Sequence, residues 1–479
     1  MEPFDLHWAA ASMHASDILL DAGEPTSQSI YRLRVSSVIT DSRNARNGAL
    51  FFALRGERSD GHVYLRQIAG HGAFGVVSEQ YRRTEVQQAP GVQVVVRDPL
   101  TALGDLAKAY RGNFSLPVIG ITGSVGKTST KDMTFAILQD QFRTVANEKN
   151  YNNEIGLPLT LFRLNRDHEV AIVEMGMRAR DEIRRLAEIA RPRIAIITNV
   201  GYAHIEILGS RIEIAKAKGE LPAMLPTDGS AVVIVPDNLD FADDVLREAP
   251  ANCRIVKVGS KGSDLWSEHN KSQGGFRVHV AATQEWADVH VNVPGVHHQS
   301  NALLAIAAAL EMNVSLKSAA DSLSRWAGSE GRMTVRKGRR GITVLDDCYN
   351  AGIESMCAAL TTLGAYPGEH VAVLGDMREL GAAAMDLHRR VGEHLASVDV
   401  RTVITVGELA QHIGETAMQH IGVTRQMEHI AFTSTSECAA RIEELIKVDD
   451  VVLVKGSRAL AMEAIVSRLT GEASADHHA

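Results

Sequence analysis

Short apolar runs rich in β-branched residues recur along this chain, and each stops abruptly at a polar residue or a glycine. Residues 116–121 run into Thr122-Gly123, 170–173 into Glu174, 194–197 into Thr198-Asn199, and 231–235 into Pro236-Asp237. In the last third, 342–345 precede Asp346-Asp347 and 371–374 precede Gly375-Asp376. Residues 402–406 then lead to Gly407, and 451–454 to Lys455-Gly456. Uninterrupted runs of this kind predict strands buried on both faces, as in parallel sheets covered by helices. Helical patterns alternate with them, at residues 129–139, 179–190 and 384–395. Ligands of such folds gather at the carboxyl ends of the strands, where Glu174, Asp346, Asp347, Asp376 and Lys455 fall.

The first ~110 residues read differently, because shorter strands at 35–43 and 48–54 suit only a small α/β module. Residues 102–111 form a helical linker, and a charged, glycine-containing stretch at 328–341 marks a second junction. With 479 residues and ~150 residues per domain as the prior, three α/β domains are expected. They are a small N-terminal substrate domain (1–115), a central P-loop-type domain with a mostly parallel sheet (116–333), and a C-terminal Rossmann-like domain (334–479). The chain shows neither an internal repeat nor a low-complexity tract.

Composition narrows the function classes. A formal net charge of −8 argues against a nucleic-acid partner, whose binding surface is basic. Cys253, Cys348, Cys357 and Cys438 lack metal-ligand spacing and read as reduced intracellular thiols. The longest apolar stretches, such as 303–310, fall short of the ~20 residues of a membrane span. The N-terminus lacks the basic start of a secretory signal, so no membrane insertion and a cytoplasmic location are expected. Asp476-His477-His478-Ala479 reads as a frayed tail rather than a metal site.

Gly123-Ser124-Val125-Gly126-Lys127-Thr128 lies between a predicted strand and a predicted helix. That context exposes backbone N–H groups to an anion and aims a positive helix end at it. Lys127 would supply charge to the outer phosphates of a nucleoside triphosphate, and the Thr128 hydroxyl a ligand for Mg²⁺. The strict eight-position pattern wants Gly at 121, where this chain has Ile121. Asn152 and Asn153 offer amides to phosphate or sugar oxygens, or else form a polar turn and helix cap. Glu174 could ligate a cation or cap the following helix. His204 taken alone reads as structural, and Ala215-Lys216-Ala217-Lys218 as a solvated helix face.

Their joint order changes the weighing. GxxGKT is followed by NxNNEIGLPLT (150–160), an EMG strand end (174–176), AHxExxGS (203–210) and AKAK (215–218). GxHxxxNA (295–302), GR (331–332), DDCYNA (346–351), GDMxELG (375–381) and KGSR (455–458) continue the series. With TDSR (40–43) and FALRGERSDGH (52–62) upstream, the chain resembles the Mur ligases of peptidoglycan synthesis over nearly its whole length. The wording is that of the branch that adds a dipeptide.

The resemblance implies ATP-dependent amide ligation. The terminal carboxylate of a UDP-N-acetylmuramoyl-tripeptide becomes an acyl phosphate, which the amine of D-alanyl-D-alanine attacks. It implies that Gly123, Ser124, Gly126, Lys127, Thr128 and Ser129 hold the nucleotide phosphates and that Thr128 holds one Mg²⁺. Glu174 and His204 would bind a second Mg²⁺, with Lys218 carbamylated beside it; Lys127, Glu174, His204 and Lys218 are the implied catalytic set. Asn301 would contact adenine, Arg332 the phosphates and Asp347 the ribose. Thr40, Asp41, Ser42 and Arg43 would lie nearest the uridine nucleotide, and Asn152 and Asn153 along the substrate channel. Asp376, Lys455, Ser457 and Arg458 would close over the site and receive the dipeptide. A monomer is expected. The chain departs from the family at Gly352-Ile353, where Asn-Pro is usual. Rival readings are a sister ligase adding one amino acid, whose usual DNPR motif is missing here, a folylpolyglutamate synthase, and a nucleotide-binding switch without ligase turnover.

Overall fold

The apolar runs of the sequence become buried strands in three separate sheets. A computed structural model describes residues 1–19, 32–56, 59–81, 91–148, 150–269, 275–422 and 425–472. The tail at 476–479 and part of the 52–62 motif lie outside the described residues.

The central sheet has nine strands. Val118–Thr122 is an interior strand of it, with Val170–Glu174 and then Thr144–Ala146 on one side. On the other side follow Ile194–Ile197, Val232–Pro236, Arg254–Gly259 and Leu265–His269, all parallel. Gly275–Val280 and Trp286–His290 then extend the edge antiparallel. The five-residue strands Val118–Thr122 and Val170–Glu174 are buried at every position, as a sheet covered on both faces requires. Helix Lys127–Leu138 packs against Val296–Glu311, whose alanine- and leucine-rich turns are buried throughout the interior of the domain.

The C-terminal sheet has six strands, in the order Thr334–Lys337, Thr343–Asp346, Val451–Lys455, His370–Gly375, Thr402–Val406 and Glu428–Phe432. Only the first is antiparallel. Among the described residues the N-terminal sheet has five short strands, of which Asp17–Leu19 alone is antiparallel. Among the described residues no helix is long and apolar enough to cross a membrane, and all four cysteines are free.

Two expectations need correction. The run at 35–43 is not one strand: Ser37–Ile39 ends early because the Asp41 carboxylate captures the Arg43 N–H and turns the chain into a short 3-10 helix, Ser42–Asn44. The helix expected over 179–190 is Glu182–Ala190, delayed because Asp181 takes a left-handed backbone (φ 69°).

Candidate active site

Strand Val118–Thr122 has a parallel neighbour on each side, and that arrangement assembles the site. Glu174 stands level with Ile121, and Ile197 level with Thr122. Glu174 and the Thr198-Asn199 pair therefore emerge beside the loop that follows Thr122. At Gly123 an added Cβ would lie 1.8 Å from Thr198 Oγ1, and at Gly126 (φ 83°) 2.6 Å from Asn301 Oδ1. Only glycine fits either place.

Gly126 is the cap residue of helix Lys127–Leu138 and offers no side-chain cap. The first-turn N–H groups of Lys127, Thr128 and Ser129 are thus left for a ligand, at a helix end carrying about half a positive charge. The loop is braced from behind. Asn199 Oδ1 accepts from the N–H groups of Ser124 and Val125, both at 3.0 Å, and Ser124 Oγ accepts from the Gly201 N–H at 2.8 Å. The Lys127 ammonium folds over its own loop, donating to the Gly123 and Ser124 carbonyls at 2.8 and 3.2 Å. Burial lowers its pKa, with Glu174 opposing and Arg332 adding to the shift.

Three expected residues meet at one point. The Thr128 hydroxyl donates to Glu174 Oε2 at 2.8 Å and accepts from the Arg332 guanidinium at 2.9 Å. Glu174 is 2% exposed; its second oxygen accepts from Asn152 Nδ2 at 2.6 Å. Asn147 grips the Glu174 backbone by both its N–H and its carbonyl. Arg332 stacks 4.3 Å above the Tyr349 ring, which fixes its plane. A hydroxyl and a carboxylate side by side are hard oxygen donors of the kind Mg²⁺ takes. Among the described residues no group of three or more His, Cys, Asp or Glu side chains gathers as a metal site.

The structure pairs His204 with the C-terminal domain rather than with Glu174: its Nδ1 lies 2.7 Å from Glu379 Oε2. The contact is close but not aligned as a hydrogen bond. The solvated-face reading of the AKAK segment holds for only one of its lysines. On helix Arg211–Ala223, Lys216 is partly exposed and paired with Glu213, whereas Lys218 is 1% exposed. Burial holds the Lys218 amine well below its usual pKa, the Lys127 cation pushes the same way, and Glu354 opposes.

Other expected residues are placed as follows. Asn153 serves the turn, its Oδ1 accepting from the N–H groups of Ile155 and Gly156. Asp347 and Lys455, expected on different substrates, form one ion pair at 2.6 Å, and Lys455 also donates to the Asn350 carbonyl. Asp376 is buried and accepts from the Ala410 N–H at 2.8 Å; Ser457 Oγ accepts from the Arg378 N–H. Arg458 pairs with Glu463 at 2.9 Å. In the N-terminal domain Arg43 clasps Asp41 at 2.7 Å with its side chain 86% exposed, Thr40 is partly exposed, and Ser42 is buried. The clasp lowers the Asp41 pKa.

Four residues escaped the sequence reading. Asn147 ends strand Thr144–Ala146 and the strand-end rule applied above would have found it. His298 is buried with both ring nitrogens unpartnered, three residues before Asn301, beside the charges of His297, Arg332 and Lys455. An orphaned imidazole and a glycine-lined cradle fit a polar ligand such as a nucleotide. Glu354 accepts from the Tyr202 N–H at 2.9 Å, and no local pattern marks it; Glu379, inside the GDMxELG motif but given no role there, faces His204.

A glycine phosphate cradle, an acidic strand end and cationic side chains brought in from a third sheet define a nucleotide-using α/β enzyme. Models of three Mur ligase regions match in order: the family's catalytic domain at 34–111, the middle domain at 121–309 and the glutamate ligase domain at 331–458. The chain belongs to the Mur ligase family. It is 35% identical over 450 residues to the UDP-N-acetylmuramoyl-tripeptide–D-alanyl-D-alanine ligase of Synechocystis, covering 92% of this chain and 93% of that one. The Bacillus subtilis ligase of the same name is 34% identical over 440 residues, covering 91% and 93%. Among solved structures, MurF from Acinetobacter baumannii superposes with a TM-score of 0.86 at 30% identity, over 98% of each chain. MurF ligase from Thermotoga maritima in complex with ADP gives 0.77 at 25% identity, over 91% and 97%.

Proposed function

We propose that this protein joins D-alanyl-D-alanine to UDP-N-acetylmuramoyl-tripeptide with consumption of ATP, in the cytoplasm, as a step in making the peptidoglycan precursor. The carboxylate of the tripeptide takes the terminal phosphoryl group, the dipeptide amine attacks the resulting acyl phosphate, and phosphate leaves. Phosphoryl transfer between two anions needs positioning and positive charge more than covalent help. Lys127 and the N–H groups of the 123–129 loop hold the outer phosphates, and Arg332, bonded to the Thr128 hydroxyl, adds a second cation. Thr128 and Glu174 are the residues that would hold Mg²⁺, which supplies charge neutralisation at the phosphates. His204 and a carbamylated Lys218 would complete a second site. A buried amine kept neutral is the form that adds CO₂, and the product is an anionic oxygen ligand where an ammonium has only donors. The Lys455–Asp347 pair and the neighbouring 457–458 turn carry the C-terminal domain's share, Asp347 toward the ribose. Thr40 to Arg43 receive the uridine nucleotide.

The supporting observation is the meeting of Thr128, Glu174 and Arg332, from three separate motifs, at one phosphate loop. Phosphate release measured with each substrate omitted in turn tests the reading. A ligase needs both the UDP-tripeptide and the dipeptide, and release with neither would sink it. A panel of single amino acids against D-alanyl-D-alanine separates it from the sister ligases.

A further inference from the structure

The foot of the central sheet holds a second cleft, of about 480 Å³. It opens where strands Val118–Thr122, Ile194–Ile197 and Val232–Pro236 begin, whereas the phosphate loop lies at their far ends. Lys108, Arg111, Arg191 and Arg193 line it, and the acids among its lining residues are Glu188 and Asp228. Arg111 closes helix Pro99–Arg111 and is 6% exposed. Its guanidinium donates to the carbonyls of Ala190, Phe114 and Leu116 at 3.0, 2.5 and 2.8 Å. Two of its five N–H donors are left over. Burial pulls its pKa down to about 10, and the Arg191 charge adds to the shift. Among the described residues no carboxylate pairs with Arg111, Arg191 or Arg193. Asp228 turns to the Ser230 N–H and hydroxyl and attracts Arg193 only at longer range; Glu188 lies 3.9 Å from Lys108.

Four cations thus face two carboxylates and the carbonyl ends of two helices, each end worth about half a negative charge. The balance stays positive. Arg191 follows helix Glu182–Ala190 with a left-handed backbone (φ 50°), a place that favours glycine. Such strain is retained where the surroundings impose it, often at functional sites. Leu116, Pro117, Pro192 and Met224 give the same cleft an apolar wall. We propose that this cleft binds a small organic molecule bearing a multiply charged oxyanion, either a phosphate or a pair of carboxylates, at a site separate from catalysis. Guanidinium forks match both oxyanions, and the apolar wall takes the body that carries them. The volume is that of a small-molecule pocket rather than of a bare ion.

The test titrates the full-length protein by calorimetry with phenyl phosphate, with phthalate and, as the uncharged control, with phenol. At least one of the two oxyanions should bind while phenol does not, and which one binds tells phosphate from paired carboxylates. Arg193→Ala, at an exposed position, should weaken binding about tenfold or more, whereas Lys127→Ala in the phosphate loop should leave it unchanged. Arg191→Gly should weaken it too, while raising the thermal midpoint of the unliganded protein, because glycine relieves the left-handed backbone. Binding of neither oxyanion at millimolar concentration would overturn the proposal, as would undiminished binding in both arginine variants. Loss in Lys127→Ala but not in Arg193→Ala would assign the anion to the phosphate loop and overturn it as well.

Discussion

The phosphate-loop pocket and the Thr40–Arg43 corner hold their charges in opposite ways. In the pocket, Thr128 meets Glu174 and Arg332, partners 46 and 204 residues away along the chain. At the corner, Asp41 and Arg43 are two residues apart, and the Arg43 side chain is 86% exposed. A charge fixed by distant, packed segments is oriented before any ligand arrives and loses little freedom on binding. A charge held by its neighbour in water is screened and mobile, and is ordered only by the ligand. On the ligase reading proposed above, the first region suits chemistry and the second capture.

Substitutions can break that contrast. The largest effect is expected from Lys127→Ala, which strips the cation from the transferring group. Ligation should fall by about 10³-fold or more while the thermal midpoint holds, and near-normal phosphate release would remove the cradle assignment. Lys218→Ala should cost roughly 10²-fold and recover in part with short added carboxylates, whereas Lys216→Ala, three residues from its surface partner Glu213, should be silent. Equal behaviour of the two lysines would end the carbamate idea.

Acidity sharpens the same point. Burial depresses the Lys218 pKa well below 10.5, so the neutral, CO₂-reactive amine persists far below that pH. Stimulation of activity by bicarbonate should then persist below pH 10.5 and fade as pH drops through the depressed pKa. Between that pKa and 10.5 the unfolded chain binds more protons, so this residue makes stability rise with pH. Lys218→Met should flatten that slope in pH-dependent melts.

Smaller effects follow. Asn199→Ala leaves the Ser124 and Val125 N–H groups without their shared acceptor and should weaken ADP binding about tenfold in calorimetry. Arg43→Ala should raise the KM for the uridine substrate several-fold with kcat unchanged, the mark of a binding-only contact. A fall in kcat there would place the corner in the chemistry.

The strands that carry the pocket were legible because each is an uninterrupted apolar run buried on both faces, as at 170–174 and 194–197. The antiparallel extension at 275–290 was not. Its strands alternate, with Val289 buried between exposed Asp288 and His290, and short alternating segments are ambiguous. Motif order singled out Thr128, Glu174 and Arg332, and the fold brings the three side chains together. Composition could not say which lysine of the AKAK segment is buried, although the family resemblance singles out Lys218. Nor could it show that Asn153 serves a turn, or that Glu354 and Glu379 cross a domain seam. Those depend on how separate units pack, and local periodicity does not encode that.

Gly201 turns this seam into an adjustable gauge. A methyl group there would sit 2.2 Å from Glu354 Oε1, a wedge driven between two bodies with no other neighbour disturbed within that distance. Gly201→Ala is thus a one-atom route to pushing the Glu354 carboxylate off the Tyr202 N–H it accepts from.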